Sequence, residues 1–325
     1  MSEKTLDVVV IGNAIVDVIC HTEDDFLDAH GMVKGSMQLI DDDKAHKIYA
    51  DMPPAVESSG GSGANTAAGI ASFGGKVAFI GKVAADQLGE VFVHDLRATG
   101  VQYDAPSVDD GHATARCLIL VSPDAERTMN TFLGVSSLIN PDDVDVALVQ
   151  SAQVVYCEGY LWDLPDAKAA MVKGMEAAKA AGGRVAFTLS DSFCVDRHRA
   201  EFVELAEHRI DILFANEDEI CSLYETDSFD EAAARVAGHC EIACLTRSAQ
   251  GSVIITADGQ LNVAAAPVDA VVDTTGAGDL YAAGFLYAFT NGLGLEAGGR
   301  LASIAAAECI SHLGARPEVS LAGLA

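Results

Sequence analysis

The stretch Asp273-Thr-Thr-Gly-Ala-Gly-Asp279, followed by the apolar Leu280-Tyr-Ala-Ala-Gly-Phe-Leu286, carries the strongest chemical signal in the sequence. Glycines at 276 and 278 let a backbone turn tightly and leave its N–H groups uncovered. A helix that starts there points its positive end and its free N–H groups at the turn. Such a turn can hold phosphate oxygens, with Gly276, Ala277 and Gly278 as donors. Asp279 opens the helix, where a carboxylate can take a proton from a hydroxyl that attacks phosphorus. An Asp cap beside a glycine turn is the plainer alternative, and these residues alone leave it open.

A second segment, Gly60-Gly-Ser-Gly-Ala-Asn65 and then Thr66-Ala-Ala-Gly-Ile-Ala-Ser-Phe-Gly-Gly75, puts small residues at another helix start. Small residues permit close approach of a ligand, and the Asn65 amide can both donate to and accept from a polyol. A glycine turn packed on a sheet is the alternative. The spacing is not G-x-G-x-x-G, Gly12-Asn-Ala-Ile lacks the later glycines of a dinucleotide fingerprint, and there is no G-x-x-x-x-G-K-[ST].

Short apolar runs must position these segments. Residues 6–11, 76–81, 153–157, 184–189, 211–215 and 242–246 read as buried strands, and helix-period stretches cover 86–99, 166–181, 199–207 and the residues from 217 on. A strand-like 270–272 leads into the glycine turn. Apolar strands alternating with helices predict an α/β fold, a mostly parallel sheet covered on both faces. Two pairs of strand-like runs break the rhythm: 15–20 with 37–40, and 114–121 with 128–133. They predict a small antiparallel β lid inserted as residues 14–42 and 110–135, with 1–13, 43–109 and 136–325 forming the core.

The chain of 325 residues carries 20 Lys and Arg against 48 Asp and Glu, a formal charge of −28, with half its residues hydrophobic. That content excludes disorder. An acidic surface repels phosphate backbones and anionic lipid, so neither nucleic acid nor membrane is an expected partner. No run approaches the roughly 18 apolar residues of a membrane span, and the polar start followed by a short apolar run is no signal peptide. A cytoplasmic protein is expected. The eight cysteines, without a C-x-x-C, read as reduced core thiols.

Residues 60–75 with Gly81 and Asp86-Gln-Leu-Gly89, together with Asp273–Asp279, resemble the two characteristic motifs of the ribokinase-like (PfkB) carbohydrate and nucleoside kinases. Asn216-Glu-Asp-Glu219 matches that family's N-x-x-E. Gly12-Asn-Ala-Ile-Val-Asp17, Asp24-Asp-Phe-Leu-Asp28, Ile210-Asp-Ile-Leu-Phe-Ala-Asn216 and Phe187-Thr-Leu-Ser190 are most similar to the adenosine kinases. The resemblance implies a three-layer α/β/α core with a lid and ATP-dependent phosphorylation of the 5′-hydroxyl of adenosine. The alternatives are a sugar or other nucleoside kinase, or a ligand-binding regulator.

By resemblance, Asp279 is the base, and Asn13, Asp17, Gly61 and Asn65 bind the acceptor. Adenine would need flat apolar walls: Met37, Gln38 and Leu39 are candidates on the lid side, and Tyr160 or Trp162 would either stack on it or be plain core or rim aromatics. Asn216, Thr246, Arg247, Gly251, Gly276 and Gly278 would bind ATP, and Glu219 would organise Mg²⁺ through water. The T-x-G segment carries Ser248 where the family has glycine. Arg127 is a further phosphate partner to test. Asp273 and Thr275, near Gly314, fall where relatives that respond to K⁺ would hold it. A small-molecule acceptor is the expected partner, in a monomer or a homodimer.

Overall fold

The computed structural model describes residues 4–104, 107–109, 111–124 and 126–324. The outer limits set at 1, 110 and 325 lie outside these residues. The strands are β1 (Leu6–Ile11), β2 (Ile15–His21), β3 (Met37–Leu39), β4 (Val56–Gly60), β5 (Val77–Ile80), β6 (Ala115–Val121) and β7 (Arg127–Phe132), then β8 (Ala152–Glu158), β9 (Arg184–Thr188), β10 (Ile212–Asn216), β11 (Ile242–Thr246), β12 (Ser252–Thr256) and β13 (Gly259–Val263).

The large sheet has eight strands in the order β13-β12-β11-β10-β9-β8-β1-β5. The six from β11 to β5 run parallel, and the β12–β13 hairpin closes one edge antiparallel. The apolar runs predict the parallel part. Val8, Val9, Val10 and Ile11 are all fully buried. Val9 and Ile11 pack with Val155 and Cys157 on one side, and Val8 and Val10 pack with Val154 and Tyr156 on the other. Each such side chain contributes about 1.5–3 kcal/mol. All eight cysteines are free thiols, and all but Cys221 are buried.

The small sheet has five strands, β3-β7-β6-β2-β4. It departs from expectation in two ways. First, it is mixed: β6 pairs antiparallel with β7, but β2 pairs parallel with β6 and β3 parallel with β7. The parallel pairing follows from the route of the chain. Residues 102 and 108 bridge parallel to 78 and 84 along the β5 edge, so the chain enters β6 travelling as β1 does when it enters β2. Second, β4 joins this sheet through β2, although residues 43–109 were assigned to the core. Val56-Glu-Ser-Ser-Gly60 has no apolar alternation, and Val56 is exposed at this edge.

The expected strand at 270–272 does not form. Val271 and Val272 are exposed, and the Val272 N–H bonds Ile310 O instead of a ladder. No helix among the described residues is long and apolar enough to cross a membrane.

Candidate active site

The loops after β1, β8, β9, β10 and β11 all leave the carboxyl edge of the parallel strands, where open α/β sheets present their sites. Two glycine-led helices meet them there, Ser62–Ser72 and Ala277–Thr290. Gly276 caps the second helix with φ 78°, a left-handed conformation, and a Cβ there would lie 2.6 Å from Ala315 Cβ. The Ala277 N–H reaches Thr274 O at 3.2 Å. The Gly278 N–H, in the first helical turn, has no carbonyl of its own helix to bond, and the space beside its Cα is open.

Asp279 stands on this first turn. Ser62 Oγ donates to its Oδ1 at 2.7 Å and Asn65 Nδ2 donates to its Oδ2 at 3.0 Å. Burial pushes its carboxyl up to about 6, held back by Ser62, Asn65 and the positive charge of Arg316. Asp17 faces the same space. Its carboxylate packs against Gly60, where a Cβ would meet Oδ2 at 2.3 Å. Burial raises Asp17 to about 6, opposed by Arg316 and Arg127 and reinforced by Asp279. Gly61 (φ 91°) closes the turn against Asn13 O, which a Cβ would approach to 2.4 Å. The sequence-predicted Asp17, Gly61, Asn65, Gly276, Ala277, Gly278 and Asp279 are thus brought together.

Asn13 lies beside them, and its amide is bonded within the protein. Its Nδ2 donates to Glu158 Oε1 at 2.7 Å and its Oδ1 accepts from Ser136 Oγ at 3.0 Å. Each end of the amide has a partner and the residue is buried, as is also true of Asn65, and Asn13 thereby links the loop after β1 to Glu158. Gln38 is corrected outright. In the β3-β7-β6-β2 register it lines up with Asn130, Leu118 and Val18, whereas Asp17 lines up with Cys117, Thr131 and Leu39. Alternate residues of a strand face opposite sides. Gln38 therefore faces away from Asp17, while Met37 and Leu39 share its face and are exposed. Tyr160 stands at the sheet edge with its hydroxyl donated to Ser190 O at 3.1 Å. Trp162 is core: it packs on Phe187 and Phe202 and donates Nε1 to Glu201.

Asn216 and Glu219 form a reciprocal cap at the start of the helix Glu217–Tyr224. Asn216 Nδ2 donates to Glu219 Oε1 at 2.6 Å, the Asn216 N–H donates to Oε2 at 3.0 Å, and the Glu219 N–H donates to Asn216 Oδ1 at 2.8 Å. Burial raises Glu219 to about 7, with the charges of Asp191, Asp218 and Asp279 adding to it. Thr246 ends β11 beside Asn216. Arg247 is turned from the role expected of it: its fork donates to Glu217 at 3.0 and 3.2 Å, and it lies over the Phe229 ring. Ser248, the departure from T-x-G, has φ 49° and so bears a left-handed conformation that glycine adopts freely. A Cβ at Gly251 would lie 2.0 Å from Val263 O.

Asp273 is buried beside the turn. Its Oδ1 accepts from the Thr275 N–H at 3.0 Å, and its Oδ2 accepts from the Gly314 N–H at 2.9 Å. Arg127, on β7, extends to the same Oδ2 and also reaches Thr275 Oγ1 at 3.3 Å. Its Nε is buried without a partner.

Three residues escaped the sequence reading. Ser62 lies inside the glycine segment 60–65, where a serine carries no signal of its own. Glu158 is fully buried, takes the N–H and Nδ2 of Asn13 on Oε1 and the Gly63 N–H on Oε2 at 2.6 Å, and is pushed up to about 7 by burial. It joins the loop after β1 to the start of the helix Ser62–Ser72. Arg316 belongs to neither glycine motif, yet donates Nε to Asn65 Oδ1 at 2.7 Å.

A buried carboxylate beside a glycine anion turn, with a second buried carboxylate nearby on the small sheet, suits phosphoryl transfer to a small-molecule hydroxyl. The comparisons agree. The model of the pfkB family carbohydrate kinases matches residues 5–320, and the chain belongs to that family. Adenosine kinase from Sinorhizobium meliloti is 50% identical, with TM-score 0.91 over 98% of each chain. A probable sugar kinase from Rhizobium etli CFN 42 is 48% identical, with TM-score 0.92 over 99% of this chain and 98% of that one. Probable fructokinase-6, chloroplastic, from Arabidopsis thaliana is 31% identical over 76% of this chain and 66% of its own length. The expected three-layer fold and family are therefore correct.

Proposed function

We propose that the protein transfers the γ-phosphoryl group of Mg-ATP to the 5′-hydroxyl of adenosine, giving AMP and ADP. The observation that carries the phosphotransfer is Asp279, held by Ser62 and Asn65 next to the N–H groups of the glycine turn. Asp279 takes the hydroxyl proton as the oxygen bonds to phosphorus and the bridging bond to ADP breaks. The Gly278 N–H and its neighbours receive the phosphoryl oxygens, and Arg127, with an open Nε, adds positive charge from the small sheet acting as a lid. Asp17, Gly61 and Asn65 hold the ribose hydroxyls. Closure of the lid would exclude water and limit ATP hydrolysis.

Adenosine is favoured over a sugar by the 50% identity to an adenosine kinase and by Met37 and Leu39, exposed apolar residues on the Asp17 face. A base offers such residues a flat apolar partner, and fructose does not. The second reading, a sugar kinase, is supported by the names of the Rhizobium etli and Arabidopsis thaliana relatives.

Among the described residues no cluster of three or more metal-ligating side chains occurs. The lone carboxylate of Glu219 suits Mg²⁺, which retains waters and rides on phosphate oxygens. Glu219 would hold it through water, in a region where Asp191, Asp218 and Asp279 add negative charge. Bound there, the ion would neutralise phosphate charge. Asn216, Thr246 and Gly251 would border the nucleotide. K⁺ fits less well: Asp273 already serves two N–H groups and the guanidinium of Arg127. No step is assigned to it.

The test is ADP release from Mg-ATP with adenosine, inosine, guanosine, ribose, fructose and 2-keto-3-deoxygluconate. Adenosine should give the highest kcat/KM. A clear preference for any sugar overturns the assignment of adenosine.

A further inference from the structure

Arg316 follows Gly314 and Ala315 in the segment beyond the helix Leu295–Cys309. That segment is seated on the anion turn. Gly314 donates to Asp273, and Ala315 fills the space that a Cβ on Gly276 would need. From there the guanidinium crosses to the other glycine segment. Its Nε donates to Asn65 Oδ1 at 2.7 Å and its Nη2 donates to Ser59 Oγ at 3.0 Å. Ser59 is fixed in turn, since its N–H and its hydroxyl both donate to Asp95 Oδ2 at 2.7 Å. Nη1 is buried and has no partner.

Two things follow from the chemistry of the groups. An asparagine amide has a donor end and an acceptor end, whereas a guanidinium only donates. Nε therefore holds Oδ1 toward Arg316 and leaves Nδ2 for Asp279, and the reversed amide would set oxygen against carboxylate. Further, a buried guanidinium nitrogen without an acceptor is costly. The carboxylates that act on this guanidinium are Asp95, Asp17 and Asp279. Asp17 and Asp279 lie on the side where the acceptor is proposed to bind, next to the Asn65 that Nε holds, and Nη1 is the one nitrogen of this guanidinium still without an acceptor.

We infer that Arg316 is a further residue of the acceptor site: Nη1 donates to an acceptor oxygen, and Nε fixes Asn65 in the orientation that supports Asp279. Its charge also favours the ionised form of the base. The inference rests on Asp279 acting as the base toward a hydroxyl, and not on which acceptor carries that hydroxyl.

The experiment compares Arg316→Gln and Arg316→Lys with wild type, using the acceptor that wild type turns over best. Rates are measured against pH. Separately, with no acceptor present, the Asp279 carboxyl is titrated by carbon-13 NMR and assigned by its loss in Asp279→Asn. Arg316→Gln should raise the acceptor KM roughly 10-fold or more with ATP KM within about 3-fold, the loss expected for a charged hydrogen bond. It should also move the Asp279 titration and the acidic limb of kcat upward by about 1 pH unit. Arg316→Lys should keep the titration near wild type and still raise the acceptor KM, since an ammonium lacks the fork.

An unchanged acceptor KM, or an unmoved Asp279 titration, in a folded Arg316→Gln overturns the inference. If that variant does not fold, a wild-type acceptor KM in Arg316→Lys overturns it. The titration needs neither ATP nor acceptor, so a wrong acceptor assignment leaves this arm standing and the two failures are distinct.

Discussion

Asn65 Nδ2 donates to Asp279 Oδ2 at 3.0 Å across 214 positions of sequence. This bond joins the two glycine segments into one site. It places the donor of one segment on the carboxylate of the other, so in the proposed mechanism acceptor binding and proton removal share a hydrogen bond.

Asp279→Asn keeps the size of the side chain and removes the proposed base. Its kcat is expected to fall roughly 10²–10⁴-fold while acceptor affinity changes little. Calorimetric binding beside single-turnover rates checks this. Near-normal turnover would show that another group takes the proton.

Glu158 should matter although it reaches no free ligand. Glu158→Ala strands the Asn13 N–H, the Asn13 amide and the Gly63 N–H in a buried place. Unmet donors cost about 1–3 kcal/mol each. Urea unfolding should show a loss of that order or more, with a raised acceptor KM in whatever remains folded. Unaltered stability would count against the cross-link.

The pH dependence has two opposed signs. Asp279 must be ionised to act as base, and its carboxyl is raised to about 6, so kcat should fall below about pH 6. Folded-state values raised by burial also mean that Asp17, Glu158, Glu219 and Asp279 bind protons more readily folded than unfolded. Their contribution to stability is fully present below the ordinary carboxyl range and is lost as pH rises through about 6 to 7. Thermal unfolding at pH 8 and pH 6 should therefore show the lower Tm at about pH 8, and Glu158→Gln should flatten the difference. A Tm difference equal in Glu158→Gln and wild type would remove that residue from the account.

Ser248→Gly relieves a left-handed serine at φ 49°. The change is expected to stabilise the fold by about 1 kcal/mol, less the added freedom of the unfolded glycine. Chemical denaturation measures it, and a clear loss of stability would mean that the serine side chain has a bond worth more than the strain.

Arg127 on Asp273 predicts indifference to K⁺. Rates and Tm should agree in potassium chloride and N-methyl-D-glucamine chloride at equal ionic strength. Removing the guanidinium in Arg127→Ala should make Tm respond to K⁺. A strong K⁺ response in wild type would show that the guanidinium yields the site.

What could be read from the sequence was local. Residues 273–279 are legible as a candidate site because seven contiguous residues hold both the glycine turn and the carboxylate, although alone they also fit a plain helix cap. The parallel strands were legible because both of their faces are buried, which leaves unbroken apolar runs. β4 was not, since an edge strand needs no such run. Gln38 was misplaced by a single position, and in a strand one position exchanges the faces. Glu158 and Arg316 had no local signal at all. Their partners lie 145 and 251 positions away, and only the folded chain brings them within reach.

Those separations bear on how the enzyme comes into being. Contacts between distant positions close late, because the entropy of the intervening loop must be overcome first. Regain of kinase activity after dilution from denaturant should therefore lag behind the return of helical circular dichroism, and turnover becomes a reporter of the last step of folding.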